Sequence, residues 1–503
     1  MAAGRPLRSI RTEQVGNMEK IIDEGFVISE MNYWRTPSIG ISVFVDDKDE
    51  ESLFIGSRNI EKNLPVNMDT MFCIASCSKA MTATLIGCLV SEGLLDFDRP
   101  VTEYAPECQL WDPVASSMFT LRDMLCHRTG FGAHDAIWPC RDGRQAMAER
   151  LKYIEPAGMF RQKVLYSNVI YAMAGYVAEA VTGTPWDKLM AEYLFKPLGM
   201  TRTNCSANIL KEDRNHADPY YMIDGQPKKV PIWNVDQCGP AASVNSTHRD
   251  MIRWLRFNCG RGVTQSGKRL LAREIFDEIH APQMPYVDGG TVYGDYYWAD
   301  AYCMGWRKGS YKGRPYQKHS GKIEGYSTFQ MYLPDERIGL FISANMHSPT
   351  EPLFMTLTYT ILDRILGEPQ ENWAARFRDN KQQAPLELYD DCKIDIAGQR
   401  LAESAKDRPL PWDIAGTAGL YVNPGYGNIS IDKDEGDDLK LTYRDQTLPV
   451  RHWGENQFYM DGVKADVLEM RVPVIFNTDA DGNVDRVEIG YDRTVRNVLF
   501  VKV

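Results

Sequence analysis

FCIASCSKAMTATLIGCLVSEGLLDFDRPV, residues 72–101, sets a serine and a lysine three positions apart, Ser76 and Lys79, at the head of a long run of small and apolar residues. The run reads as a buried helix that closes near Glu92 and Gly93, where a glycine suits a helix end. Residues three apart share a helix face, so Ser76 Oγ and Lys79 Nζ are expected to meet. A serine hydroxyl is a poor nucleophile until a neighbouring base takes its proton. A lysine becomes that base where desolvation and nearby cations lower its pKa. So short a triplet also recurs by chance as a solvated surface pair; here the apolar setting singles it out.

Outward from this helix, residues 14–33 carry apolar side chains at helical spacing (Val15, Met18, Ile21, Ile22, Phe26, Ile28). SIGISVFVDD and ESLFIGSRN then read as two paired strands. YSNVIYAMAGYVAEAVTG, residues 166–183, is a second apolar helix closed by glycine. Three strand-like stretches follow from Met304: CMGWRKGSYKG, RPYQKHSGKIEGYSTFQMYLP and RIGLFISANM. PLFMTLTYTILDRILG returns to helix. A helix and two strands, a mostly helical middle, three strand stretches and a closing helix describe an α+β fold. Its antiparallel sheet brings the two ends of the unit together. The polar, proline-marked residues 368–410 read as a linker. From 411 to 503, short alternating strands punctuated by Asn-Pro-Gly and Asp-Gly-Asn read as a small all-β barrel.

Two further stretches fit the serine and lysine. YSN, residues 166–168, opens the second helix, and a phenol near an ammonium shuttles protons between a serine and a leaving group. Asn168 offers an amide to a substrate carbonyl. HSG, residues 319–321, sits in a strand. Gly321 is expected to let a substrate lie close to the backbone, with strand amides beside it as half of an oxyanion hole and the Ser76 N–H as the other half. Taken singly, Tyr166 reads as a packed aromatic and His319 as a satisfied strand histidine. Their joint order and context point to chemistry.

Together these stretches resemble the serine β-lactamase and penicillin-binding protein superfamily, in its class C-like branch of esterases, D-aminopeptidases and lovastatin-type acyltransferases. Ser76 and Lys79 match S-x-x-K, residues 166–168 match Y-x-N, and residues 319–321 match the third motif. TLRDMLCHRTGF, PLGMTRT, AASVNSTHRDMIRWLRF and GYSTFQMYLPDERIGLFISAN extend the likeness over roughly residues 14–366, and the C-terminal strands resemble a lipocalin-like barrel. The resemblance implies Ser76 as the acyl-accepting nucleophile and Lys79 with Tyr166 as general acid/base. It implies His319 as the orienting residue of the third motif and the amides of Ser76 and Lys322 as oxyanion donors. Asn168, Gly321 and Lys322 then bind substrate, with neither cofactor nor metal. His319 stands where many penicillinases have lysine. Histidine is mostly neutral at pH 7, so neutral esters, amides or thioesters are expected ahead of carboxylate-bearing lactams.

The reading is thus a serine acyl hydrolase on a small-molecule acyl substrate. Transfer of the acyl group to an alcohol is the alternative, and a non-catalytic binding protein of the same fold the third. Of 503 residues, 44% are hydrophobic and 25% charged, and the net charge of −11 argues against a nucleic-acid partner. No run of about 20 apolar residues calls for a membrane span. The N-terminus lacks a signal-like apolar core, which points to the cytoplasm and to reduced thiols for the eleven cysteines. The barrel is expected to support the catalytic unit without supplying its nucleophile or bases.

Overall fold

The computed structural model describes residues 20–46, 49–138, 142–223, 225–286, 300–347, 350–378, 393–434, 438–444, 446–465, 468–492 and 495–503. The first helix, α1 (Glu24–Tyr33), starts after Asp23, whose carboxylate caps the Phe26 N–H. The earlier part of the helix expected from residue 14 lies outside the described residues.

The main sheet of the first unit is built from β1 (Ser38–Val45), β2 (Asp49–Asn59), β3 (Leu64–Pro65), β4 (Met284–Tyr286), β5 (Asp300–Tyr302), β6 (Arg307–Tyr311), β7 (Arg314–Ile323), β8 (Tyr326–Leu333) and β9 (Ile338–Ala344). They form one antiparallel sheet in the order β3-β2-β1-β9-β8-β7-β6-β5-β4. The stretch 314–334, read as a single strand region, is a hairpin: the chain turns at Glu324 and Gly325, where Gly325 has φ +68°. A left-handed position is open to glycine at little steric cost.

The four longest further helices cover the sheet and fill the middle of the unit, with shorter ones between them: α2 (Ser78–Ser91), α3 (Asn168–Thr182), α4 (His248–Cys259) and α5 (Thr350–Leu366). Alternation along β1 decides its two faces. Ile39, Ile41 and Val43 are buried with Val27 and Trp34 near α1 and with Leu353, Leu357 and Ile361 of α5. Each such aliphatic contributes about 1.5–3 kcal/mol on burial. On the other face Gly40 and Ser42 meet His248 at the start of α4. Ser42 Oγ bonds His248 Nδ1 at 2.9 Å, and His248 Nε2 reaches Ser343 Oγ of β9 at 2.8 Å. A Cβ on Gly40 would stand 2.4 Å from His248 Nε2, so only glycine lets α4 sit this close.

α2 is buried from Ser78 through Leu89, all round its axis, which makes it the central rod of the helical half. α3 is capped by Ser167 Oγ at the Ile170 N–H and closed by Gly183 at φ +66°.

The second unit is a barrel built from β10 (Lys393–Asp395), β11 (Gly419–Asn423), β12 (Gly427–Lys433), β13 (Leu439–Tyr443), β14 (Gln446–Gly454), β15 (Gln457–Ala465), β16 (Leu468–Thr478), β17 (Val484–Ile489) and β18 (Val498–Lys502). Eight strands close in the order β16-β15-β14-β13-β12-β11-β18-β17 and back to β16, all antiparallel; β10 adds in parallel along the start of β16. Closure leaves no long free edge. Tyr421, Ile429, Leu441, Val450, Phe458, Val474 and Phe500 fill the interior, and this core is continuous with the apolar interior around α2 and α3.

Candidate active site

Ser76 lies in a 3₁₀ turn, Ala75–Cys77, that leads directly into α2. It is the only residue from Met71 to Leu89 that is not buried. Ala75 before it is held at φ +46°, a left-handed conformation costing a non-glycine residue about 1–2 kcal/mol. The sheet holds the turn in place: Thr328 Oγ1 donates to Ile74 O (2.9 Å), Gln330 Nε2 to Cys77 O (3.2 Å) and Cys77 Sγ to His319 O (3.4 Å). Burial pushes the Cys77 and Cys73 thiols up to about 12, so both stay protonated at ordinary pH.

Gly321 explains how β7 comes so near. A Cβ there would stand 2.1 Å from Ile74 O, so the space left by the missing side chain holds the chain's own backbone beside the Ser76 turn. Counted back from the two-residue turn at Glu324 and Gly325, the Ile323 and Tyr326 pair is hydrogen-bonded. The Lys322 N–H therefore points away from β8, toward the edge of β7 that β6 leaves uncovered.

Lys79 is fully buried. Its Nζ lies 3.0 Å from Ser76 Oγ, 2.7 Å from Asn168 Oδ1 and 3.0 Å from Ala241 O. The last two accept only, so of these three contacts the one to Ser76 alone lets a proton pass either way. The same Nζ sits 4.6 Å from the ring centroid of Tyr166, which is half-buried at the mouth of the site. Asn168 opens α3, and its Nδ2 points back to Asp135 Oδ1 at 3.4 Å. Asp135 is only partly covered. Desolvation, with the Asp492 carboxylate nearby, raises its carboxyl to about 7.

His319 turns to neither Tyr166 nor the open side. Its ring centroid is 6.5 Å from that of Tyr166, and its nitrogens belong to a chain of hydrogen bonds in which the position of each proton follows from the partners. Ser167 N–H donates to His127 Nδ1 (3.1 Å), so His127 Nε2–H donates to Tyr302 Oη (3.2 Å). The Tyr302 hydroxyl donates in turn to His319 Nε2 (3.1 Å), and His319 Nδ1–H to Ser320 O (2.7 Å). Burial, then the Arg307 and Lys79 cations, holds His319 well below its usual range; burial does the same to His127 and pushes the Tyr302 phenol far up. All three are neutral at ordinary pH. His127 also stacks on the Tyr166 ring, centroids 4.2 Å apart, so the chain ties the surroundings of Ser76, Tyr166 and His319 into one piece.

Ser76, Lys79, Tyr166 and Asn168 come together around the Lys79 side-chain nitrogen; His319, Gly321 and Lys322 line the strand beside them. Sequence reasoning missed Tyr302, Asp135 and the Ala241 carbonyl. His127 stands inside TLRDMLCHRTGF, which was quoted for its resemblance but given no role. Tyr302 and Asp135 carry no local signal, since each acts across a long sequence separation. Among the described residues no group of His, Cys, Asp and Glu is arranged to hold a metal ion.

Four likenesses can be set beside this geometry. The Beta-lactamase family model matches residues 28–364. A protein of Aspergillus violaceofuscus named unguisins hydrolase is 25% identical over 441 residues, 82% of this chain and 76% of its own. The octameric penicillin-binding protein homologue from Pyrococcus abyssi superposes with a TM-score of 0.58 at 19% identity, covering 95% of this chain and 98% of that one. A class C beta lactamase from Rhodobacter sphaeroides superposes at 0.55 and 19% identity, over 68% of this chain and 98% of its own.

Proposed function

Given that the chain belongs to the beta-lactamase family and is an enzyme of the serine hydrolase type, we propose that it cleaves an ester, thioester or amide through an acyl-enzyme at Ser76. The observation that carries this reading is the 3.0 Å approach of Lys79 Nζ to Ser76 Oγ, with two other Nζ contacts taken by groups that only accept. In the first step Lys79, as the neutral amine, takes the Ser76 proton as Oγ attacks the acyl carbon. The charge that develops on the carbonyl oxygen meets the amides of Ser76 and Lys322. Tyr166 gives its proton to the leaving alcohol, thiol or amine and takes one from the newly formed Lys79 ammonium, which returns to the amine. Water then takes the place of the leaving group, with the same groups acting in reverse. Relatives named hydrolases support water as the acceptor.

His319 contributes geometry and no charge, which favours neutral acyl donors over carboxylate-bearing lactams at that position. The nine described free cysteines are all buried, which supports a reducing, cytoplasmic setting; among the described residues no helix is long and apolar enough to cross a membrane.

The test is intact mass after incubation with p-nitrophenyl esters, acyl thioesters, aminoacyl amides, a penicillin and a cephalosporin. The expected result is a transient adduct on Ser76 with ester or thioester donors and slow turnover of the lactams. Ser76→Ala removes the adduct and several powers of ten in kcat. Turnover by Ser76→Ala equal to that of the wild type would overturn the reading, and efficient lactam hydrolysis without ester turnover would overturn the substrate class.

A further inference from the structure

The barrel touches the catalytic unit at the turn that carries Asp135. Asp135 sits in a 3₁₀ turn, Asp135–Ile137, and His134 before it is held at φ +49°. Such a conformation persists in a non-glycine residue only where neighbours over-determine it. Here several of the neighbours are barrel side chains. The Tyr426 hydroxyl and His134 Nδ1 share a 2.6 Å hydrogen bond. The Tyr443 hydroxyl is directed at Ala136 O (3.2 Å) and Tyr426 O (3.0 Å), and Arg444 Nη1 reaches Ile137 O (3.4 Å). Tyr491 stacks behind both phenols, 6.1 Å from Tyr426 and 5.3 Å from Tyr443 between centroids. A Cβ on Gly132 would lie 3.2 Å from Val495 Cγ1, so the chain runs close against the barrel before the strap as well.

From the strap the contacts run inward. Asp135 Oδ1 accepts from Asn168 Nδ2, which leaves Asn168 Oδ1 for Lys79 Nζ. Were the amide turned over, its NH₂ would face the Lys79 ammonium and its oxygen the Asp135 carboxyl. Asp135 therefore decides which way the Asn168 amide points, and that orientation supplies one of the acceptors holding Lys79 against Ser76.

We propose that the barrel is a positioning part of the active site: Tyr426 and Tyr443 hold residues 134–138 so that Asp135 orients Asn168 and, through it, Lys79. This rests on the Ser76 reading above and adds to it a contribution from the second unit. The charged and titratable groups facing Asp135 are Asp492 from the barrel and Lys79 from α2, with Tyr426 and His134 beside the strap. Burial holds His134 at about 4 and pushes the Tyr426 phenol far up, so the bond between them stays neutral on both sides across the working range.

Tyr443→Phe and Tyr426→Phe remove one hydroxyl each and keep the rings. Tyr421→Phe is the control, since its hydroxyl bonds Thr417 O inside the barrel. Two readouts apply to the full chain: hydrogen exchange of the peptide covering residues 131–138, and the rate, as a function of pH, at which a fluorophosphonate phosphonylates Ser76 Oγ, the P–F bond breaking and the serine proton leaving with fluoride. Faster exchange in that peptide is expected for Tyr443→Phe and Tyr426→Phe, with labelling slowed by about tenfold or more and its pH profile displaced. Asp135→Ala slows labelling comparably, and adding Tyr443→Phe to it costs less than about twofold more, because both act through one contact. Tyr421→Phe matches the wild type in both readouts. A wild-type chain that takes no label at Ser76 overturns the nucleophile assignment. A wild-type chain that labels, while Tyr443→Phe labels equally fast or multiplies in full with Asp135→Ala, overturns the part assigned to the barrel.

Discussion

At Tyr302 a single buried hydroxyl serves two histidines, accepting from His127 and donating to His319. Neither ring can turn to solvent for a replacement, since both are buried. Tyr302→Phe leaves a donor on one side and an acceptor on the other unmet, each costing about 1–3 kcal/mol. The expected outcome is a loss of about 2–4 kcal/mol in urea unfolding at unchanged m-value, with slower acylation because Tyr166 leans on His127. A loss below 1 kcal/mol would mean that the hydroxyl carries no such double duty. The grouping of Ser76, Lys79 and Tyr166 could be expected from the sequence because each stands in a short motif, with residue type and spacing in one window. Tyr302 was not, because its partner His127 lies 175 positions away and nothing around a lone tyrosine announces a distant imidazole.

Elements were read best where burial or a terminal glycine marks them. α2 and α3 end at Ser91 and Thr182, just before Gly93 and Gly183, both in the left-handed conformation. The serine itself fell one turn outside its expected helix, because the chain must leave β-structure at Phe72 and Cys73 and enters α2 through the strained position at Ala75. The hairpin at Glu324 and Gly325 was hidden because β8 is buried at every position and β7 is buried from Tyr316 through His319, so a clean alternation along the stretch is lost. At this scale the contact between β1 and α4 is the one to probe. Gly40→Ala sets a methyl 2.4 Å from the His248 ring, which also bridges Ser42 and Ser343. Overpacking of this kind costs about 1–3 kcal/mol. Thermal unfolding is expected to fall accordingly, and an unchanged midpoint would show that α4 has room to shift.

For the molecule as a whole, six of eight histidines are buried and held below their usual range: His127, His134, His248, His280, His319 and His347. In each, burial is the leading cause. The sign follows from where the protons go: the unfolded chain binds them near pH 6.5 and the folded one does not, so this stability is complete above 6.5 and is lost as the pH falls toward 4. At pH 5 each buried imidazole costs about 2 kcal/mol, and together the six reach the order of a whole domain's stability. Asp135, raised to about 7, acts in the opposite sense, its contribution fading as the pH climbs through 7, and burial raises Glu30, Asp236 and Glu336 in the same sense, four groups against six. Melting temperature is therefore expected to hold near neutrality and drop steeply between pH 6 and about pH 4.5, while a flat profile across that range would contradict the neutral imidazoles.

The register of the central sheet also fixes an order of events in time. β1 sits between β2 and β9, with Ile39 opposite Ala344, so the middle of the sheet joins segments some three hundred residues apart. A ribosome presents β1 and β2 long before β9 exists. In that interval Ile39, Ile41 and Val43 have no finished neighbour on one side, and an unpaired apolar strand edge invites association with other chains. Closing so long a loop adds little to the equilibrium cost but delays the encounter. Refolding from denaturant is thus expected to be slow, to pass through a state with the helical half and barrel formed and the sheet open, and to yield less native protein as concentration rises.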